Sequence, residues 1–258
     1  MRGGFPLDDA AWSSPWRHRA VGDKLVLSGG LLVTGLVLPV WPAAVLVAGV
    51  ALVALLGPAR VPGAVLARTV AAPFVFIGIG AISVLVSLRW QGGLSLAVTD
   101  GTRQSALAVL GHGTAGTLAV LLVAATTPMA DLLGGLRRLR VPEACVDVAG
   151  LVYRLVLVLF STLVQMSEAQ AARLGYRDRR ATLRSAAALS VGLLIRSWER
   201  ARRLEEGLAG RGYTGSLPSL EPPRRTSLPF VLTSLAVLGA LVTTSLLVGG
   251  DLSWATSA

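Results

Sequence analysis

The chain is short of most features around which soluble enzymes and secreted domains are built. Its 258 residues include one cysteine, Cys145, which excludes an internal disulfide. The two histidines, His18 and His112, lie far apart, so no metal site and no resident cofactor are expected. Charged residues make up only 15% of the chain, too few to cover a soluble domain of this length. Lysine is nearly missing: Lys24 is the only one, and the other basic residues are arginine. Carboxylates are scattered or spaced to pair with arginine on helices, whereas a lipid transferase working on phosphates needs them clustered around Mg²⁺. No Gly-x-x-x-x-Gly-Lys-Ser/Thr loop occurs, so any ATP used alongside this chain is expected to be hydrolysed by another. The first twenty residues carry Asp8, Asp9, Arg17, His18 and Arg19 and lack an apolar run with a small-residue cleavage site, so no cleavable signal is expected.

What the chain has is apolar sequence. Hydrophobic residues are 53% of it, and the mean hydropathy of +0.66 makes an all-α integral membrane protein the expected fold class. The net charge of +10 sits between apolar runs, a pattern that fits a cytoplasmic membrane face better than nucleic acid. Residues 1–23 read as a polar, cytoplasmic lead-in ending at Asp23-Lys24. Spans are expected at about residues 25–38, 43–56, 66–88, 105–125 and 228–248. The first two are short and form a hairpin across Pro39 and Pro42. Pro73 permits a kink in the third, an irregular loop from Arg89 and an interfacial Trp90 to Arg103 precedes the fourth, and Gly111 and Gly113 favour close packing within it. His112, alone in that span, reads as a packing or hydrogen-bonding residue, and His18 as one that fixes the N-terminal segment. Two more apolar segments, 144–165 and 181–195, leave open whether they cross or lie along the membrane, so about five crossings become six or seven if they do.

Basic residues set the orientation. Arg17, Arg19 and Lys24, then Arg60 and Arg68, then the arginine-rich stretch from Arg137 to Arg225 are expected inside, with the loop near Trp90 and the C-terminus outside. The chain thus divides into residues 1–126 (lead-in and four spans), 127–226 (a cytoplasmic or interfacial region) and 227–258 (a last span and tail). The middle region opens with an amphipathic helix, capped by Thr127 with Pro128 at its first position, apolar through Met129, Leu132, Leu133, Leu136 and Leu139 and basic through Arg137, Arg138 and Arg140. Asp147 and Arg154, seven apart, share a helix face and are expected to pair through an intermediate group or to turn inward together.

Within this region one pattern occurs twice. Glu168 precedes Arg173 by five residues, and Glu206 precedes Arg211 by five; Gly175-Tyr176 follows the first arginine and Gly212-Tyr213 the second, nearly in register. Trp198, Ala201, Leu204 and Leu208 recur at helical spacing, and Glu199 with Arg203 and Arg202 with Glu206 form i,i+4 pairs worth about 0.2–0.5 kcal/mol each. Gly210 and Gly212 flank Arg211 where a left-handed helix end is expected. An arginine so placed can enter a partner's pocket, because its five-donor fork meets a carboxylate or carbonyls while neighbouring glycines let the partner's backbone approach. The competing reading is that both arginines complement helix ends and touch lipid headgroups.

The ordered set Thr127-Pro128, Asp131, Arg137, Pro142, Tyr153-Arg154, Ala172-Arg173, Gly175-Tyr176, Arg196, Glu199-Arg200 and Arg211-Gly212-Tyr213 resembles the transmembrane T component of energy-coupling factor (ECF) transporters. It looks most like the cobalt/nickel branch, the CbiQ proteins, which the N-terminal Ser14-Pro15 and Lys24 also resemble. The resemblance covers nearly the whole chain. It implies a non-catalytic scaffold whose two coupling helices each end in an Ala-Arg-Gly motif that docks on one of two ABC ATPase subunits. Its membrane helices would hold a separate substrate-binding S component, with a small accessory membrane subunit as a further partner. By match, Ala172-Arg173-Leu174 is the first motif and Gly210-Arg211-Gly212 the second, with Glu168, Tyr176, Glu206 and Tyr213 supporting them. Leu174 departs from the motif's glycine, although Gly175 follows, and Gly210 departs from its alanine. The alternatives are a T component serving vitamin S components and a non-transport adaptor binding anionic lipid.

Overall fold

The computed structural model describes residues 6–90, 94–97, 100–139, 141–213 and 226–253. In chain order the helices are α1 (Pro6–Ser13), α2 (Val21–Val37), α3 (Val40–Leu56), α4 (Gly63–Leu85), α5 (Asp100–Thr126), α6 (Met129–Arg138), α7 (Glu143–Ala172), α8 (Arg179–Ala209) and α9 (Leu228–Ser253). A 3₁₀ turn at Pro15–His18 follows α1, and a two-stranded antiparallel ribbon, β1 (Ser87–Trp90) with β2 (Leu94–Ala97), joins α4 to α5. The chain divides into two compact units, one of Phe5–Asp131 with Pro223–Ala258, the other of Leu132–Pro222. Arg140 and the Pro222-Pro223 break fall outside the described residues.

The first unit is a bundle around α5, which packs on α2, α3 and α4. The buried face of α5 carries Ala115, Leu118, Ala119, Leu122 and Ala125 at helical spacing. Its small residues bring neighbours close: a Cβ on Gly111 would lie 2.5 Å from Val40 Cγ1 and 3.1 Å from Ala44 Cβ, and one on Gly113 would lie 3.1 Å from Ile77. The outer faces are apolar too, with Leu36, Val53, Phe76, Ile79, Ile82 and Leu247 all exposed. Helices apolar on both faces match a multi-pass bundle whose outer surface meets lipid. α4, α5 and α9 are long and apolar enough to cross a membrane, whereas α2 and α3, with 17 residues each, reach only about 25 Å.

Hydrogen bonds at one end of this bundle establish which connections share a side. Ser14 Oγ donates to Ala59 O between α3 and α4, Lys24 Nζ to Thr126 O at the end of α5, and Asp23 Oδ2 accepts from Ser227 N just before α9. The N-terminal segment, the 57–62 turn, the end of α5 and the start of α9 therefore lie together. The lead-in itself is corrected. It is folded onto the bundle, with Ala10, Ala11, Trp16 and Ala20 buried, and α2 already begins at Val21, so that Asp23 and Lys24 are buried residues at its N-terminal end. Trp16 and Ser14 do the fixing; His18 is exposed. The expected irregular loop after α4 contains the ribbon. The side chain of Trp90 and residues 91–93 fall outside the described residues. His112 is half-buried, and its Nε2 has no hydrogen-bond partner among the described residues.

In the second unit α7 and α8 form a hairpin. Residues near the turn face each other as Gly175 and Ser185; farther along, a Cβ on Gly192 would meet Met166 Cε, and Leu159 and Thr162 share a groove with Ile195 and Glu199. Residue numbers falling on one helix as they rise on the other make the pair antiparallel. Apolar residues 144–165 and 181–195 are thus parts of two longer helices, and α7 is apolar and long enough to cross a membrane by length and composition. Asp178 caps α8 by accepting from Ala181 N at 2.7 Å. Thr127 does not cap α6: its buried hydroxyl has no hydrogen-bond partner among the described residues, and Met129 N donates to Asp8 Oδ1 at 3.5 Å. Asp147 pairs with Arg137 from α6 and is buried, while Arg154 is exposed. The pairing is set by what α6 brings alongside α7, which helical spacing within α7 cannot reveal.

Candidate functional site: two arginine tips

Both arginines sit at matching positions of a helix end. α7 finishes at Ala172; Leu174 N donates to Ala171 O at 3.0 Å and Gly175 N to Gln170 O at 2.8 Å. α8 finishes at Ala209, Gly210 keeps right-handed helical angles, and Gly212 N donates to Ala209 O and Tyr213 N to Leu208 O, both at 3.1 Å. Each end is a Schellman arrangement, in which a left-handed residue turns the chain so that two later amides satisfy carbonyls of the last turn. The left-handed residue is Leu174 (φ 57°) in the first tip and Gly212 (φ 71°) in the second. The residue before it is Arg173 or Arg211, and both arginines are exposed.

The repeat therefore aligns on backbone geometry as Arg173 with Arg211, Leu174 with Gly212 and Gly175 with Tyr213. The two Gly-Tyr pairs, which looked almost equivalent in sequence, are one residue out of step because their glycines do different jobs. Gly212 supplies the left-handed angle, and a Cβ there would meet nothing within 4 Å. Gly175 supplies space: a Cβ would fall 2.5 Å from Ser185 Oγ and 2.9 Å from Gln170 O. Leu174 accordingly occupies a conformation that costs an L-residue about 1–2 kcal/mol, with 70% of its surface exposed.

The surroundings of the two tips differ. Arg173 and Leu174 share a concave surface with Arg177, Arg180 and Arg184, and Asp178 is the one carboxylate there. Near Arg211 the chain carries Glu205 and Glu206, the latter paired with Arg202 at 3.0 Å. Glu199 with Arg203 closes the other expected i,i+4 pair at 3.7 Å, and both pairs are largely exposed, so they add little stability. The side chains of Glu168, Tyr176 and Tyr213 are exposed; Tyr213 serves its tip through its backbone amide. Trp198 is 75% exposed, and Ala201 and Leu204 on the edge it heads are exposed as well, while Leu208 is half-buried. Sequence reasoning missed Asp178, Ser185 and the arginines beside Arg173. An aspartate directly before a helical run was the available signal for the first; Ser185 carried none.

The tips stand at opposite ends of α8, whose 31 residues extend about 46 Å.

The profile of the family CbiQ, described as "Cobalt transport protein", matches residues 13–222, a range that contains both tips. Among similar proteins is the cobalt transport protein CbiQ of Rhodobacter capsulatus, 37% identical over 236 residues covering 92% of this chain and 95% of that protein. An uncharacterized protein of Methanocaldococcus jannaschii is 27% identical over 88% of this chain and 87% of its own length. A protein of Methanocorpusculum labreanum that carries the name of a fused cobalt transport protein, CbiMQ, is 28% identical over 82% of this chain, matching 37% of its own length.

Proposed function

The chain belongs to the family of CbiQ cobalt transport proteins, and from that membership we propose that it is the membrane-embedded coupling subunit of an ECF-type importer, taking up cobalt. It performs no catalysis; Arg173 and Arg211 each dock on one of two ABC ATPase subunits at the cytoplasmic face, and ATP-driven movement of those subunits reaches a separate substrate-binding S component through this chain. The observation that carries this reading is the pair of matching arginine-bearing helix ends about 46 Å apart. Two equivalent plugs at that spacing suit two equivalent sockets on a dimeric partner.

The same geometry favours a hairpin lying along the membrane. α7 and α8 are antiparallel, so if the hairpin crossed the bilayer, Arg173 and Arg211 would emerge on opposite sides and one ATPase would have no plug. α8 also carries arginines toward both ends, which a bilayer core disfavours. The exposed apolar residues Val148, Val152, Val156, Phe160 and Val164 run along α7 at intervals of four, a stripe suited to a membrane partner or lipid. The name of the fused CbiMQ relative supports an association between a CbiQ-like part and a second cobalt-transport part.

The test is co-purification from membranes, with hydrolysis and cobalt uptake measured in proteoliposomes. Arg173→Ala and Arg211→Ala each remove a charge-assisted contact and lower ATPase affinity by about 10–100-fold, leaving membrane insertion unchanged. A double variant that retains its ATPases and full uptake refutes the reading. Loss of binding to anionic vesicles, with no ATPase partner in the wild type, would establish the lipid adaptor instead.

A further inference from the structure

Adjacent residues of α2 hold the two places where the chain passes between its units. The first unit is left after Asp131 and re-entered at Pro223. Lys24 Nζ donates to Thr126 O at 2.7 Å, at the carbonyl end of α5, and Asp23 Oδ2 accepts from Ser227 N at 2.8 Å, at the amide end of α9. Each charge thus sits at the helix end whose partial charge it complements. Asp8 Oδ1 accepts from Met129 N on the outgoing connection, and on the returning side Phe230 stacks edge-on against Trp16 with Arg19 4.5 Å above its ring.

Asp23 and Lys24 are each 1% exposed. Taking charges out of water costs several kcal/mol apiece, and packed apolar residues of similar volume often serve stability as well or better. Hydrophobic residues could fill the space, but they could not tie down a specific carbonyl and a specific amide.

We propose that Asp23 and Lys24 are positioning residues that clamp the end of α5 and the start of α9, so that displacement of the coupling region moves the bundle instead of being lost at these two helix ends. The inference rests on the coupling function proposed above. α5 is the helix against which α2, α3 and α4 pack, so a load delivered at Thr126 is delivered to the centre of the bundle.

The experiment uses the full complex in proteoliposomes, with cobalt uptake and ATP hydrolysis measured together. Lys24→Met and Asp23→Leu are expected to keep ATPase binding and hydrolysis within about twofold of wild type while uptake per ATP falls about tenfold or more; Asp23→Asn, whose amide oxygen still accepts from Ser227 N, keeps coupling. Uptake that is unchanged, or that falls in parallel with hydrolysis and with the amount of folded complex, overturns the clamp. A second measurement needs no variant: in the wild-type chain without partners, the Ser227 amide should exchange about 100-fold slower than an unprotected amide, and exchange at the unprotected rate overturns the clamp even where a variant fails to fold. Because that measurement involves no ATPase, its failure is distinct from a failure of the Arg173 and Arg211 tests.

Discussion

Gly175→Ala tests whether the first tip is held by close approach. The added Cβ would lie 2.5 Å from Ser185 Oγ and 2.9 Å from Gln170 O. Ser185 can rotate away only by giving up its 2.8 Å bond to Gly175 O, a loss of about 0.5–1.5 kcal/mol. Gln170 O cannot rotate away, because it accepts from both Arg173 N and Gly175 N, so the tip must shift at an overpacking cost of about 1–3 kcal/mol. The two together come to about 2–4 kcal/mol, which would speed opening of the tip by about 30-fold to 1,000-fold. Hydrogen exchange at positions 174 and 175 reads this directly in the detergent-solubilised chain. Ser185→Ala alone should cost about 1 kcal/mol, and the double variant should cost less than the two single changes added, since one of the two clashes disappears. Exchange within about threefold of wild type for Gly175→Ala, or strict additivity, would refute the claim that space fixes this glycine.

Leu174→Gly relieves about 1–2 kcal/mol of left-handed strain against about 0.5–1 kcal/mol of added unfolded-state freedom, so the tip should be unchanged or slightly firmer, with ATPase docking retained. Gly212→Ala has open space around it and carries the strain alone; the Tyr213 amide should exchange about fivefold faster. In the bundle, Gly111→Ala pushes a methyl into Val40 and should lower the thermal midpoint in detergent by an overpacking cost of about 1–3 kcal/mol. Gly78→Ala, with nothing within 4 Å, should not lower it.

Much of the fold was legible because its signals are local. A run of apolar residues of span length declares a helix to any solvent, and glycine beside Arg211 declares a helix end, so the apolar segments and the two arginine tips could be read from short windows. Where a helix begins or ends was less legible. Asp23 and Lys24 look like a solvated polar lead-in, yet both are buried at the start of α2, because their partners at Ser227 and Thr126 lie more than a hundred residues away. Asp147 shows the same limit: spacing along its own helix points to Arg154, whereas the ion-pair partner Arg137 is delivered by α6.

By itself, then, the sequence determined an all-helical membrane protein with an arginine-rich middle region and two tips built on one pattern. Hydropathy and helix-end chemistry act within a few residues of their cause. Tertiary structure alone decided which residue of each tip turns left-handed. Around Gly175 the approach of Ser185 claims the glycine for space and passes the strained angle to Leu174, whereas around Gly212 nothing presses and the glycine takes the angle itself. It decided also that the two exits of the chain are fastened to neighbouring residues of α2, since a charge can be buried in an apolar bundle only where the fold delivers its partner.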